Sequence, residues 1–282
     1  FGFFECVDDE SVARRLFATV EEWLRGQGLK RMRGPASFTI NEEIGLLIEN
    51  FEEPPTLLTT WNPPYYQRLV ELAGLAKVED LLAREVMFAD VDVRYLERLA
   101  KAGARNGQVT IRPANLAKLE TEVEILMKIY AEAWSENWGA VPISRAEFQK
   151  LAGDLKPFLL PECTLIAEYD GEPVGICVAV PDINVAVKAC GGRFGPLGLL
   201  RFLLARRRID LIRGLVAGVL KAHRNKGIES AFGSRIAKSL MGSRYKRIEF
   251  SWMLESNFRV HRVLENSGAK VTKRWRVYER EI

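Results

Sequence analysis

Two stretches of the sequence bring together residue types that can do chemistry. The first runs from Leu215 to Leu240 (LVAGVLKAHRNKGIESAFGSRIAKSL). An apolar, β-branched run with Val216 and Val219 enters a polar knot, His223-Arg224-Asn225-Lys226-Gly227. A segment of helical period leaves it, with Ile228, Ala231, Phe232, Arg235, Ile236 and Leu240 recurring at threes and fours. Strand, tight turn and helix start together make an anion trap, because the first N–H groups of a helix have no intrahelical acceptor and the helix dipole favours negative charge there. Gly227 lets the backbone approach an anion closely and adopt unusual φ angles, and Arg224 and Lys226 add charge-assisted contacts. Val219, Leu220, Arg224, Asn225, Lys226, Gly227, Ile228 and Ser230 are the candidate binding residues. An ordinary surface strand–helix turn would show the same local pattern. The second stretch is Arg247–Trp252 (RIEFSW), whose alternation sets Glu249 and Ser251 on one face of a strand and Ile248, Phe250 and Trp252 on the other. Glu255 and Asn257 follow where the next helix opens.

The elements that must position these residues can be read from residue 108 onward. Gln108–Arg112 starts a strand, and Pro113 breaks it before a helix from Asn115 to about Trp134. Ser144–Leu155 is a second helix, opening on a Ser144-x-x-Glu147 capping box. Thr164–Tyr169 and Pro173–Val180 are strands joined by Asp170-Gly171, a hairpin signal. Before the candidate binding strand comes an insertion, residues 193–209, in which Leu199, Leu200, Phe202, Leu203 and Leu204 are apolar almost all round and Arg206, Arg207 and Arg208 follow at once. The segment Phe194–Arg208 suits a helix lying on a membrane surface or lining an acyl-chain channel. A core helix with a basic C-terminal cap would read the same way.

The first hundred residues are punctuated differently. Phe1–Cys6 reads as a buried strand, and an Asp8-Asp9 cap opens a helix from Ser11 to about Arg25 with the stripe Val12, Leu16, Val20, Trp23 and Leu24. The cluster Trp61–Tyr66 is either a substrate-groove lining or a rigid loop packed on the core. Lys77–Phe88 reads as a strand or a strand with a short helix. The segment Arg68–Val78 (RLVELAGLAKV) parallels Arg262–Val271 (RVLENSGAKV): helix end, Glu, Gly, then a basic strand. Such self-similarity suggests two copies of one fold, joined through Ala102–Gly107. The first copy has the acidic turn Cys6-Val7-Asp8-Asp9-Glu10 in place of a basic loop, which repels phosphate.

A chain of 282 residues with 48% hydrophobic and 28% charged residues is an ordinary globular protein, and its net charge of +4 gives no argument for nucleic acid. Four cysteines without a C-x-x-C pair suit a reducing cytosol, and two histidines argue against a zinc site. No signal peptide and no uninterrupted apolar span of membrane-crossing length stands in the sequence. The expectation is a cytoplasmic protein, at most peripheral to the inner face of the membrane. Phe1 lies inside an apparent strand, so the chain is expected to begin in mid-domain.

The run Arg224–Glu229 resembles the R/Q-x-x-G-x-G/A pyrophosphate loop of the GNAT acyltransferase superfamily, which binds acyl-coenzyme A. Glu229 stands where the last Gly or Ala would be, and its carboxylate competes with a bound phosphate. The element order over 108–282 resembles a whole GNAT domain. Phe3-Phe4-Glu5-Cys6, Arg33-Gly34-Pro35, Asn62-Pro63-Pro64-Tyr65-Tyr66, Glu136-Asn137-Trp138-Gly139, Leu155-Lys156-Pro157 and Ser251-Trp252-x-Leu254-Glu255-x-Asn257 resemble the bacterial ceramide synthase-like branch with tandem GNAT domains. The resemblance implies an α+β (α/β) fold, a mixed central sheet flanked by helices. It implies an incomplete, non-catalytic copy at 1–102 and a complete one at 108–282. It implies transfer of a fatty acyl group from an acyl thioester, acyl-CoA, to a long-chain amino-alcohol, with no metal and no nucleic acid. In that family the strands around Glu249 splay beside the acyl group, where Glu249 would take the proton of an attacking amine. A structural salt bridge to Arg247 or Lys273 is the alternative role. Ser251 shares that face, and Asn257 matches the Asn that opens the family's next helix. The slot for a Tyr general acid holds Leu264, and Val70 in the first copy; His261 could substitute or be a surface residue. N-acetylation of a small soluble amine stays open, as does a non-catalytic binding role, for which Glu229 and Leu264 argue.

Overall fold

The computed structural model describes residues 1–104, 108–193 and 195–282. In chain order its elements begin α1 (Glu10–Gly26), β1 (Arg31–Gly34), β2 (Ala36–Ser37), β3 (Glu43–Ile44), β4 (Leu46–Glu49), α2 (Tyr65–Leu72), β5 (Ala76–Met87) and α3 (Val93–Gly103). There follow β6 (Val109–Pro113), α4 (Leu119–Trp134), α5 (Arg145–Leu155), β7 (Thr164–Tyr169), β8 (Glu172–Pro181), α6 (Asn184–Ala189) and α7 (Pro196–Ala205). The chain closes with β9 (Leu211–Val219), α8 (Ile228–Leu240), β10 (Arg247–Leu254), α9 (Phe258–Asn266) and β11 (Lys270–Glu281). Phe194 and residues 105–107 of the expected linker lie outside the described residues, while Ala102 and Gly103 belong to α3. No helix among the described residues is long and apolar enough to cross a membrane.

Two compact units result. One comprises Phe1–Arg84, Ser251–Asn266 and Lys270–Ile282; the other Glu85–Phe250 with Ser267–Ala269. These units do not follow the sequence halves 1–102 and 108–282. The reason is β11, the last strand, which pairs antiparallel with β1 (Arg31↔Glu281) and with β4 (Trp275↔Leu47) from the start of the chain.

In the first unit α1 and α2 pack on these strands through Phe17, Met32, Leu46, Tyr66, Val70 and Tyr278. Residues 1–6 are irregular rather than a strand, although Phe1 and Phe4 still reach this core, and Phe3 is exposed. The buried face of α1 is Ala13 and Phe17 with Val20 and Leu24, while Val12, Leu16 and Trp23 of the expected stripe face solvent. Large aromatic partners at Phe4 and Tyr66 set that rotation, since Phe4 stacks on Phe17 at 5.1 Å. Of the 61–66 cluster, Asn62 and Tyr66 are buried, Trp61 is exposed, and Tyr65 and Tyr66 open α2. Asn62 accepts from Leu47 N–H (2.7 Å) and donates to Leu47 C=O (3.2 Å), and the Tyr65 hydroxyl donates to Cys6 C=O (2.9 Å). Buried Asp80 accepts from Arg276 Nε (2.8 Å), Arg274 Nη1 (3.2 Å) and Lys77 Nζ (3.2 Å). Burial pushes its carboxyl up, but the bonds from Arg276 and Lys77 outweigh that and hold it below the ordinary value. The two similar segments both read helix, left-handed glycine, strand: α2, Gly74 (φ 83°), β5, and α9, Gly268 (φ 85°), β11.

In the second unit the strand order is β10-β9-β8-β7-β6. Adjacent pairs are antiparallel except β10 with β9, which is parallel. Asp170 and Gly171, both at positive φ, close the β7–β8 hairpin as expected, and the Ser144–Glu147 capping box opens α5. Strand alternation sorts the core. Ile166 and Ile176 pack with Leu126 and Ile129 of α4, whereas Gly175 faces Ile228 of α8. Helix α3 packs on α8, with Leu96 beside Gly233.

Candidate functional site

Strand β9 holds the site because it changes partners along its length. Its parallel register with β10 runs Leu211↔Arg247 to Gly214↔Phe250 and stops. At the same point its antiparallel register with β8 shifts, from Ala179↔Gly214 to Val178↔Val216, leaving Leu215 as an extra residue. A bulge bends the strand that carries it. Leu215–Val219 therefore keep β8 on one side and, among the described residues, have no strand partner on the other. A free strand edge offers N–H and C=O groups to an extended ligand.

That edge leads straight into the candidate turn. Leu220 N–H donates to Val174 C=O (2.8 Å), so the chain leaves the sheet only after Leu220, and Val219 is buried. Asn225 (φ 66°) and Gly227 (φ 75°) are both left-handed, and Gly227 caps α8 without a side-chain acceptor. Ile228 and Ser230 are buried in the first turn of α8, where Ala231 N–H is the first to find an intrahelical acceptor, Gly227 C=O. The N–H groups before it have no acceptor within the helix, and such groups can take an anion. The two cations beside the turn already have partners. Arg224 Nη2 donates to Ala133 C=O (3.0 Å), while Lys226 Nζ lies 3.7 Å from the Tyr169 ring centre and 3.4 Å from His223 Nδ1. Burial, with Lys226 second, lowers the His223 pKa, so this imidazole is neutral near pH 7.

Helix α3 covers the turn from one side, a neighbour missed by sequence reasoning. A Cβ on Gly227 would stand 2.7 Å from Ala100 C=O and 2.8 Å from Leu99 C=O, and one on Gly103 would stand 2.4 Å from Gly227 N. Backbone meets backbone here, which only glycine permits. A side chain at Gly227 would therefore collide with the end of α3. The signal was present: Asp92 as N-cap, then Leu96 and Ala100 at helical spacing.

Glu249 sits in β10 opposite Arg213 of β9, and both are at most 3% exposed. Burial pushes the Arg213 guanidinium down to about 10, against the pull of the Glu249 and Asp182 carboxylates. A buried carboxylate needs such a counter-charge. Arg247, one of the two cations expected for Glu249, reaches Glu85 (3.2 Å) and Asp210 (3.6 Å). Lys273, the other, is buried in the first unit and donates to Pro54 C=O (2.7 Å).

Ser251 and Asn257 also belong to the first unit. Ser251 is buried, and the Asn257 side chain accepts from Val260 N–H (3.4 Å) at the start of α9. Glu255 pairs with Lys77 at 2.6 Å. His261 is buried, not on the surface. Its Nδ1 accepts from Arg84 Nε (3.1 Å) and its Nε2 is 2.9 Å from Leu254 C=O, which fixes the proton on Nε2 and occupies both ring nitrogens.

No family model matches the chain. A bacterial ceramide synthase of Caulobacter vibrioides is 33% identical to it, over the whole of this chain and 75% of that protein. The protein YghO of Escherichia coli is 32% identical, over the whole of this chain and 74% of its own length. Among solved structures, a GCN5-related N-acetyltransferase from Sphaerobacter thermophilus superposes with a TM-score of 0.51 at 14% identity, covering 94% of this chain and 66% of that one. The GCN5-related glucosamine N-acetyltransferase region of a fungal multi-domain β-N-acetylglucosaminidase gives 0.56 at 12% identity, covering 94% and 27%.

Proposed function

The chain belongs to the family of the bacterial ceramide synthase and has the GCN5-related N-acetyltransferase (GNAT) fold, and from this premise we propose that it is an N-acyltransferase that uses acyl-CoA. The acyl group is a long fatty chain and the acceptor a sphingoid-like amino-alcohol, so that the product is an amide. The observation that carries this reading is the continuity of the open β9 edge Leu215–Val219, the left-handed turn Asn225–Gly227 and the first turn of α8. An extended pantetheine arm can bond along the strand edge while the pyrophosphate takes the N–H groups of the turn and helix. Partly buried Tyr130, Trp134, Phe148, Val216 and Leu220 beside that strand supply apolar surface for the acyl chain.

In this reading the amine nitrogen attacks the thioester carbonyl, the C–N bond forms and the C–S bond breaks. Glu249 receives the amine's proton through water, with Arg213 supplying the counter-charge that keeps a carboxylate stable in the core. Leu264 occupies the family's acid slot, so the thiolate departs as the anion and takes its proton from solvent. The first copy, 1–102, is the degenerate one, without a basic turn, and catalysis belongs to the second copy, 108–282, which carries Arg224–Gly227.

Thermal unfolding with coenzyme A, acetyl-CoA and palmitoyl-CoA, followed by mass-spectrometric detection of N-acyl sphinganine, tests the reading. Each buried methylene contributes about 0.8 kcal/mol, so palmitoyl-CoA should raise the melting temperature more than acetyl-CoA, and the amide should accumulate. A shift with acetyl-CoA alone would indicate a small amine acceptor. No shift with any of the three would leave a binding role without acyl transfer.

A further inference from the structure

Helix α7 turns the usual amphipathic pattern inside out. A helix on a protein core normally buries its large apolar residues. Here the inward positions are Gly198 and Ala205, both buried, with Phe202 between them half-buried. Leu197, Leu199, Leu200, Leu203 and Leu204 are 48–71% exposed. The inward side is fitted to small residues. A Cβ on Gly198 would stand 1.9 Å from Arg193 C=O, and Cys190 Sγ donates to Gly198 C=O (3.5 Å) and Ala186 C=O (3.4 Å), tying α7 to α6. The neighbouring helix adds exposed Val185 and Val187. The expected core helix with a basic cap is thus overturned: these leucines have no core to cap.

Charge completes the pattern. Between Ile183 and Ile209 stand Lys188, Arg193, Arg201, Arg206, Arg207 and Arg208 and no acidic residue, six positive charges where the whole chain nets only +4. Arg193, Arg201, Arg207 and Arg208 are exposed. An apolar face rimmed by cations alone complements a surface that is apolar below and anionic above. At ten residues α7 is about 15 Å long, half of a hydrocarbon core, so it can lie in the interface but not cross.

We propose that the α6–α7 hairpin seats the protein on the surface of an anionic phospholipid bilayer, its leucines in the acyl layer and its arginines at the phosphates. The inference does not rest on the acyl-transfer reading, because vesicle binding is measured without thioester or amine. The full chain is sedimented with phosphatidylcholine vesicles and with vesicles containing phosphatidylglycerol, beside the variants Leu199→Ser/Leu203→Ser and Arg206→Gln/Arg207→Gln/Arg208→Gln. The parent should bind the anionic vesicles and bind more weakly as salt rises. The arginine triple should lose roughly a hundredfold in partitioning, from about fivefold per basic residue, and the leucine double at least about tenfold. Unchanged melting temperatures are expected for both, since none of the replaced side chains is buried. If the leucine double is unstable, the arginine triple alone decides. The proposal is overturned if the parent stays in the supernatant or if the variants sediment like the parent. It is equally overturned if analytical ultracentrifugation shows a parent dimer that the leucine double converts to monomer, since the face would then join two copies of this chain.

Discussion

Glu249 of β10 stands across from Arg213 of β9 in the last paired row but one before the strands' ladder ends, and both are buried. A buried acid and base that face each other at the edge of an open strand do two things at once. They make the end of the ladder depend on a charge pair, and they set a carboxylate next to the place where an extended ligand would lie.

The first consequence is energetic. Removing one member of a buried pair typically costs about 3–5 kcal/mol, because the other charge is left without compensation. Glu249→Gln should therefore lower stability by an amount in that range in urea unfolding. Arg213→Met combined with Glu249→Gln should recover most of the loss, giving a favourable coupling energy of at least about 1 kcal/mol. Additive losses in the double variant would show that the two residues act apart.

The second is kinetic. General-base assistance is worth about 10²–10⁴ in rate. Measured where the variant remains folded, Glu249→Gln should lose turnover within that range, keep its thioester affinity, and recover in part at high pH, where more of the amine arrives neutral. A turnover within about threefold of the parent would assign proton removal to water.

Gly227 and Gly103 meet backbone to backbone, so Gly227→Ala and Gly103→Ala should each destabilise the protein. The left-handed angle at Gly227 alone accounts for about 1 kcal/mol, and the encounter with α3 adds to it. Because both changes strain one contact, their effects should not sum. Calorimetric melting decides, and coenzyme A titration of the surviving folded protein should show weaker binding for Gly227→Ala.

Asp80 gives a pH signature. Its folded-state carboxyl titrates below the ordinary value because bonds from Arg276 and Lys77 outweigh the effect of burial. A depressed acid contributes stability that is fully present above the unfolded pKa of about 4 and is lost as pH falls through the folded value. Asp80→Asn should thus melt well below the parent at pH 7, by an amount reflecting roughly 3 kcal/mol, and the two melting curves should converge as the pH drops below about 4. A gap that persists in acid would mean that packing, not charge, is what Asp80 supplies.

Much of this protein is legible in the residue order. The hairpin at Asp170-Gly171, the capping box at Ser144, the strand into Arg224–Gly227 and the helix from Ile228 are all set by local chemistry: left-handed turn residues, a side-chain cap and periods of two or three to four. The family resemblance is carried the same way, by short runs that need no knowledge of contacts. Tertiary structure alone decided what depends on partners distant in sequence. The face of α1 is chosen by Phe4 and Tyr66, the grouping of strands by the pairing of β11 with β1 and β4, and the partner of Glu249 by a parallel register that no local pattern encodes. The segment 196–205 shows the division most plainly. Its composition reads equally as core or surface, because hydrophobicity gives no direction; only the small residues packed beneath it turn the leucines outward.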